Sequence, residues 1–284
     1  MTEQTVHFGP DQSLVGTVSI PPLASAPRRA VLLTNAGIIS RVGPHRINVA
    51  VARLASCIGL IGFRFDMAGL GDSQRRDPDG TMLQQRLSDI RAAMDHVQHT
   101  WGPSRFAMVG FCSGADLAHL MALEDPRLDA IVMFDPYLYR TPRALLNYFL
   151  RQARRHGLSY GVRLAMSVLR HPLLPFEDPD SFDTAKQGRT VFPSRDEFAA
   201  RLETLVARNV RILLVFSGSS PAMYNYPSQF RDAFRRYGFA DRIESVFLAD
   251  CDHMLTTSRA QASFQRLVSP WLERVRDTDC GAAC

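Results

Sequence analysis

The chain has 284 residues, 46% of them hydrophobic and 21% charged, with a formal net charge of +5. That is ample apolar material for a core and rules out a disordered or low-complexity chain. No apolar run approaches the ~18 residues that span a bilayer, the polar N-terminus does not read as a signal peptide, and the cysteines, odd in number and without framework spacing, predict a reducing, cytoplasmic setting.

In chain order, residues 3–8 and 14–20 alternate and predict two antiparallel strands. Residues 30–34 are a continuous apolar run, as in a strand buried on both faces, and it ends in Asn35-Ala36-Gly37-Ile38. A helix follows over 45–58, with Ile47, Val51, Leu54, Ala55 and Ile58 on one face. The strand at 60–65 runs into the glycine-rich loop Asp66–Ser73, and a second helix covers 81–99. The strand at 105–109 leads through Gly110-Phe111-Cys112-Ser113-Gly114 into a helical pattern, and a further strand at 130–134 ends in Asp135-Pro136. After an interruption come a strand at 210–216, a helix near 226–237, a strand at 243–248, the segment Asp250–His253 and a last helix over 257–276. This alternation predicts an α/β architecture, a mostly parallel sheet of eight strands with helices on both faces.

The interruption, residues 137–208, reads as a helical lid inserted between core segments 1–136 and 209–284. Helices are expected at 142–156 and 159–170. Between Arg140 and His171 stand Arg140, Arg143, Arg151, Arg154, Arg155, Arg163 and Arg170 with no Asp or Glu, and an acidic run, Glu177, Asp178, Asp180 and Asp183, follows.

Strand, sharp turn and helix around Gly110–Gly114 form the context of a nucleophile elbow, the G-x-nucleophile-x-G turn that presents one side chain at the top of a sheet. The central residue is Cys112; Ser113 is out of register, because its neighbours two positions away are Phe111 and Ala115. A helix beginning at Ser113 would favour a thiolate at its N-terminus.

With the blocks Asn35–Arg46, Arg64–Ser73 and Gly110–Ala115 in this order, the chain resembles the α/β-hydrolase fold over roughly residues 5 to 276. Within it, the blocks look like the small hydrolases associated with exosortase and exopolysaccharide gene clusters, with relatives in natural-product pathways. The resemblance implies Cys112 as nucleophile and His253, in the loop after the last strand, as base. It also implies an oxyanion hole from the backbone N–H of Ser113 and that of Gly37 or Ile38. Such proteins usually carry an Asp after the strand that is here 210–216, but this chain has Ser217-Gly218-Ser219-Ser220. Either the acid has moved to Asp135, at the neighbouring strand end, or the thiol needs none. Asn35, where many relatives carry His, and His45 are candidate substrate contacts, and Phe149 and Tyr160 are candidate pocket lining.

A thioester intermediate and a missing acid point to acyl transfer or thioester cleavage, on an acyl group brought by an acyl carrier protein to the arginine-rich lid. The alternatives are an ester or lactone hydrolase and a non-catalytic binding member of the fold. No cofactor motif, metal-ligand spacing or nucleic-acid motif accompanies these residues.

Overall fold

The eight strands, β1 (Thr2–Phe8), β2 (Leu14–Ile20), β3 (Arg29–Leu33), β4 (Ile61–Asp66), β5 (Arg105–Phe111), β6 (Leu128–Phe134), β7 (Arg211–Ser217) and β8 (Glu244–Leu248), form one sheet. A computed structural model of the chain describes residues 1–22, 28–76, 80–157, 159, 166 and 192–277. The spatial order is β1-β2-β4-β3-β5-β6-β7-β8. β2 pairs antiparallel with β1 and β4, and every other pairing is parallel.

The inner strands are buried on both faces, and the period of two divides their side chains between two cores. In β5, Phe106 and Met108 join one core, while Ala107, Val109 and Phe111 join the other. β3 splits the same way, Ala30 and Leu32 against Val31 and Leu33. On the first face lie α2 (Met82–Trp101) and α3 (Ser113–Glu124). The second face is covered by α1 (Ile47–Cys57) and the final helix, Ser258–Asp277. The helix expected over 45–58 begins two residues later, because His45 and Arg46 take positive φ angles of 47° and 64°.

Within 137–208, α4 (Pro142–His156) forms where expected, with Thr141 capping its N-terminus through the Ala144 N–H. The expected helix over 159–170, Tyr160 and the acidic run at 177–183 lie outside the described residues. One element was not anticipated. Ser194 and Glu197 form a capping box that starts α5 (Arg195–Ala207). Phe198, Leu202 and Leu205 of α5 enter the same core as α3. The C-terminal part of the expected lid is therefore the crossover helix between β6 and β7, which is the covering a parallel pair requires. Beyond β7, the helix expected over 226–237 shrinks to α6 (Gln229–Phe234). Pro227 disfavours helical backbone at Tyr226 and delays its start. The final helix is α7 (Ser258–Asp277). Among the described residues no helix is long and apolar enough to cross a membrane.

The strand order reverses between β3 and β5, so their carboxyl ends open a crevice at a topological switch point. The loop beginning at Asn35 and the turn at Cys112 both emerge there.

Candidate active site

Cys112 occupies the tip between β5 and α3 with φ 54° and ψ −121°. That is strained backbone for a residue with a side chain. The turn is held from both sides, with the Cys112 N–H donating to Phe134 O at 3.0 Å and the Ala115 N–H to Cys112 O at 2.9 Å. It closes because a Cβ on Gly110 would stand 2.2 Å from Gly114 O, which only glycine avoids. Cys112 is 4% exposed.

His253 comes from the loop between β8 and α7, and its ring is fixed by Asp135. The His253 Nδ1 to Asp135 Oδ2 distance is 2.7 Å, and both side chains are buried. The other ring nitrogen is left for Cys112, with which His253 shares a side-chain hydrogen bond. Burial alone would lower the imidazole pKa, but the hydrogen bonds to Asp135 and Cys112, with their charges, raise it to about 9.

Asp135 sits one residue past β6, at φ 48°. The parallel register of β6 with β7 aligns Phe134 with Val215, which brings Asp135 beside Ser217. Its Oδ1 accepts the Ser217 N–H at 2.7 Å, and its Oδ2 accepts the Ser217 hydroxyl at 2.7 Å. The Ser217–Ser219 turn, where relatives would carry an acid, thus braces the acid of the adjacent strand. Ser219 goes further: its hydroxyl accepts the His253 backbone N–H. Of the two arrangements the sequence left open, the geometry has the carboxylate on the histidine. Sequence reasoning treated Ser219 and Ser220 only as the place of a missing acid and gave Ser217 no role, and the partners of Ser217 and Ser219 lie across strand ends that the sequence does not align.

The loop after β3 is built as a rigid shelf. The Ile39 N–H donates to Ala36 O at 3.0 Å, and Gly37 takes the positive φ (57°) of this tight turn. Ser113 opens α3, so its N–H is at the first helical position, which has no intrahelical acceptor. The Gly37 N–H donates to the Ser113 hydroxyl at 2.9 Å, so this proposed oxyanion donor is already engaged. Ile38, at the tip of the turn, is 89% exposed.

Asn35 is not a substrate contact. It is fully buried, its Nδ2 donates to Ile39 O and Asp66 Oδ1 at 2.9 Å each, and its Oδ1 accepts the Met67 N–H at 2.8 Å. A buried polar side chain with every group satisfied has none left for a ligand. Asp66, also fully buried, accepts both the backbone N–H and the guanidinium of Arg41, which bridges on to Asp72. This carboxylate ties the loop after β3 to the loop after β4. Asp66→Ala is expected to destabilise the fold by about 3 kcal/mol, since it takes from Arg41 its buried partner, leaving only the exposed Asp72, and unties two loops at once. Urea unfolding would check this, and a change below about 1 kcal/mol would contradict the anchoring role.

His45 lies exposed in the turn before α1, in a short 3-10 segment. Phe149 is half-buried on α4 with its ring 6.1 Å from that of Tyr148. Among the described residues, no hydrogen bond or ring contact described here links either of them to Cys112, Asp135 or His253. Arg41 entered the sequence reading only as part of a block, because its partners Asp66 and Asp72 stand 25 and 31 residues away along the chain.

The dienelactone hydrolase family profile matches residues 75–149, which include the elbow. No curated protein matches the sequence. Solved structures resemble the fold across nearly its whole length. An esterase domain from a Rhodothermus marinus protein is 17% identical, with 96% of this chain and 99% of that one covered and a TM-score of 0.55. A proline iminopeptidase from Mycobacterium smegmatis is 17% identical, with 98% and 100% covered and a TM-score of 0.56. An α/β serine hydrolase without a lid from Xanthomonas campestris is 13% identical, with 96% and 94% covered and a TM-score of 0.56. The sheet order, the elbow at the end of β5 and these likenesses together make this an α/β-hydrolase fold.

Proposed function

We propose that the protein is an ester- or lactone-cleaving hydrolase that works through an acyl group carried on Cys112. The observation that carries this reading is the unbroken chain of hydrogen bonds from Cys112 through His253 to Asp135. A family of hydrolases matching across the elbow supports it as well. The sequence argument for acyl transfer leaned on two departures, a thiol nucleophile and a missing acid. A carboxylate on His253 removes the second, and with it much of the reason to expect a poorly activated water.

In this mechanism the Cys112 sulfur, its proton passed to His253 Nε2, attacks the acyl carbonyl carbon, and a carbon–sulfur bond forms as the carbonyl oxygen becomes an oxyanion. The Ser113 N–H, at the positive end of α3, faces that charge. As the oxyanion collapses, the bond to the leaving group breaks and His253 Nε2 gives it the proton. Acylation removes the sulfur's charge and its hydrogen bond, two of the causes that hold the imidazole pKa high. The pKa then falls, and the neutral ring takes a proton from the water that attacks the thioester; the carbon–sulfur bond breaks as the carboxylic acid is released, and the proton on His253 returns to the Cys112–His253 pair. Asp135 keeps the ring in the tautomer that both steps need.

A second reading remains, transfer of the same acyl group to an amine or thiol acceptor, because a thioester reacts well with both. The cationic α4 suits an anionic donor, such as an acyl group on a carrier protein, delivered to a lid of which α4 is the first helix.

Intact-mass spectrometry with activated ester, lactone and thioester probes tests the reading. The expected result is an acyl adduct on the wild-type chain that is absent in Cys112→Ala, and that decays in water alone. An adduct persisting until an amine or thiol is added would favour transfer. No adduct with any probe would favour a binding member of the fold.

A further inference from the structure

The Gly37 N–H ends on a side chain: it donates to the Ser113 hydroxyl oxygen at 2.9 Å. In the ordinary arrangement of this fold, an N–H of that loop meets the oxyanion directly. Here a hydroxyl stands on the acceptor side of the Gly37 N–H instead.

Both partners of this bond are held by backbone. Gly37 sits in the turn closed by the Ile39 N–H and Ala36 O. Ser113 is the first residue of α3, directly behind the strained Cys112. Loop and helix also touch beside the bond, where a Cβ on Gly114 would stand 2.9 Å from Asn35 O and 3.0 Å from Thr34 Oγ1. Ser113 itself is buried, so its side chain has little room to turn away.

A hydroxyl oxygen accepts and donates at the same time. Ser113 accepts from Gly37, and among the described residues its own O–H has no acceptor. Accepting the amide hydrogen bond polarises that O–H and makes it a stronger donor. The turn it faces borders open space, because a Cβ on Gly37 would meet nothing within 4 Å.

We propose that the Ser113 hydroxyl is a catalytic donor to the oxyanion formed at Cys112. It relays the Gly37 N–H to that charge, and Ser113 thereby supplies two donors, its backbone N–H and its O–H. The proposal rests on the reading of Cys112 as the nucleophile that takes the acyl group. The hydroxyl keeps its proton throughout. Its hydrogen bond strengthens as the carbonyl oxygen gains charge, which favours the transition state over the bound substrate. The competing arrangement is an oxyanion that pushes the hydroxyl aside to reach the Gly37 N–H. The two differ in sign: losing a donor slows acylation, whereas losing an obstacle leaves it unchanged or speeds it.

Two reactions of the same sulfur test this. With p-nitrophenyl butyrate, a carbon–sulfur bond forms through an oxyanion and p-nitrophenolate leaves, so its release in the first turnover reports acylation. Iodoacetamide alkylates the sulfur by displacing iodide from a saturated carbon, and no oxyanion forms. Ser113→Ala is expected to slow acylation about 10- to 100-fold, somewhat less than the loss of an irreplaceable oxyanion donor, because the Gly37 N–H is released. The rate of alkylation should not change. Equal slowing of both reactions would mean that the hydroxyl supports the elbow or the thiolate, and would overturn the proposal. Acylation as fast as in the wild type, or faster, would also overturn it and give the oxyanion to Gly37 directly. Selective slowing with an acyl adduct that never decays in water would support the hydroxyl while the hydrolase reading fails. If the wild type is acylated by no ester, lactone or thioester probe, both fall together.

Discussion

Asp135→Asn is expected to lower kcat roughly 10³-fold while changing substrate binding little, the pattern of an orienting carboxylate lost from an imidazole. The amide keeps the shape of the side chain. It can still accept the Ser217 backbone N–H through its oxygen, but it no longer supplies the charge that favours imidazolium, and its nitrogen, in the place of Oδ2, can present an N–H to His253 Nδ1. The ring then turns its wrong nitrogen to the sulfur. Ser217→Ala removes one of the two Ser217 hydrogen bonds to the same carboxylate, leaving the backbone one in place. Its expected cost is about tenfold at most, in line with one hydrogen bond of about 1 kcal/mol. Equal losses in the two variants would mean that Asp135 only shapes the strand end. Stability gives a second, independent readout. His253 has its pKa raised from 6.5 to about 9, so the stabilisation from its partners is fully present below 6.5 and fades as the pH rises through about 9. The destabilisation of Asp135→Asn, measured by urea unfolding, should therefore be larger at pH 6 than at pH 10.

The second large effect concerns the nucleophile. Cys112→Ser is expected to lose activity by roughly 10²-fold or more, because a hydroxyl is a far weaker acid and a poorer nucleophile than a thiol and gives up its proton to the base less readily during attack. The substitution is small and the elbow backbone can stay as it is. What changes is the charge facing His253. The imidazole pKa of about 9 owes part of its elevation to the hydrogen bond and charge of Cys112. In the serine variant it should move down towards 6.5, visible as a shift of the His253 ring resonances in an NMR titration. An unmoved pKa would show that sulfur and imidazole are not coupled. A serine variant with wild-type turnover would show that the thiol confers nothing that a hydroxyl at this elbow lacks.

Several features could be read in the sequence because they are local. The elbow is five consecutive residues, and the glycine at 110 is required by a contact only four residues away. The strands and the long helices follow from the period of their apolar residues. The eight-stranded, mostly parallel sheet follows from their alternation, since parallel strands need covered crossovers. Cys112 and His253 were identifiable because each lies at a recognisable end of such an element.

Other features were decided only by which strand ends stand side by side. Asp135 and Ser217 are 82 residues apart, and Asp135 and His253 are 118 apart. Nothing local to Phe134-Asp135-Pro136 shows whether its carboxylate meets a histidine or only makes a turn; the packing of the strand ends sets it against His253. Asn35 looked like a ligand contact by its position in the chain, but the packing of the loop after β3 on the loop after β4 encloses it completely. The fate of α5 was hidden for a similar reason. Its apolar face suits a lid or a core equally well, and the crossover from β6 to β7 put it in the core. The sequence by itself determined the elements, the thiol and the histidine, because short-range sterics and periodicity are written in neighbouring residues. The tertiary structure alone decided which of these groups stand in hydrogen-bond contact and which hold a loop, because hydrogen bonds form between atoms that distant segments bring within about 3 Å of each other.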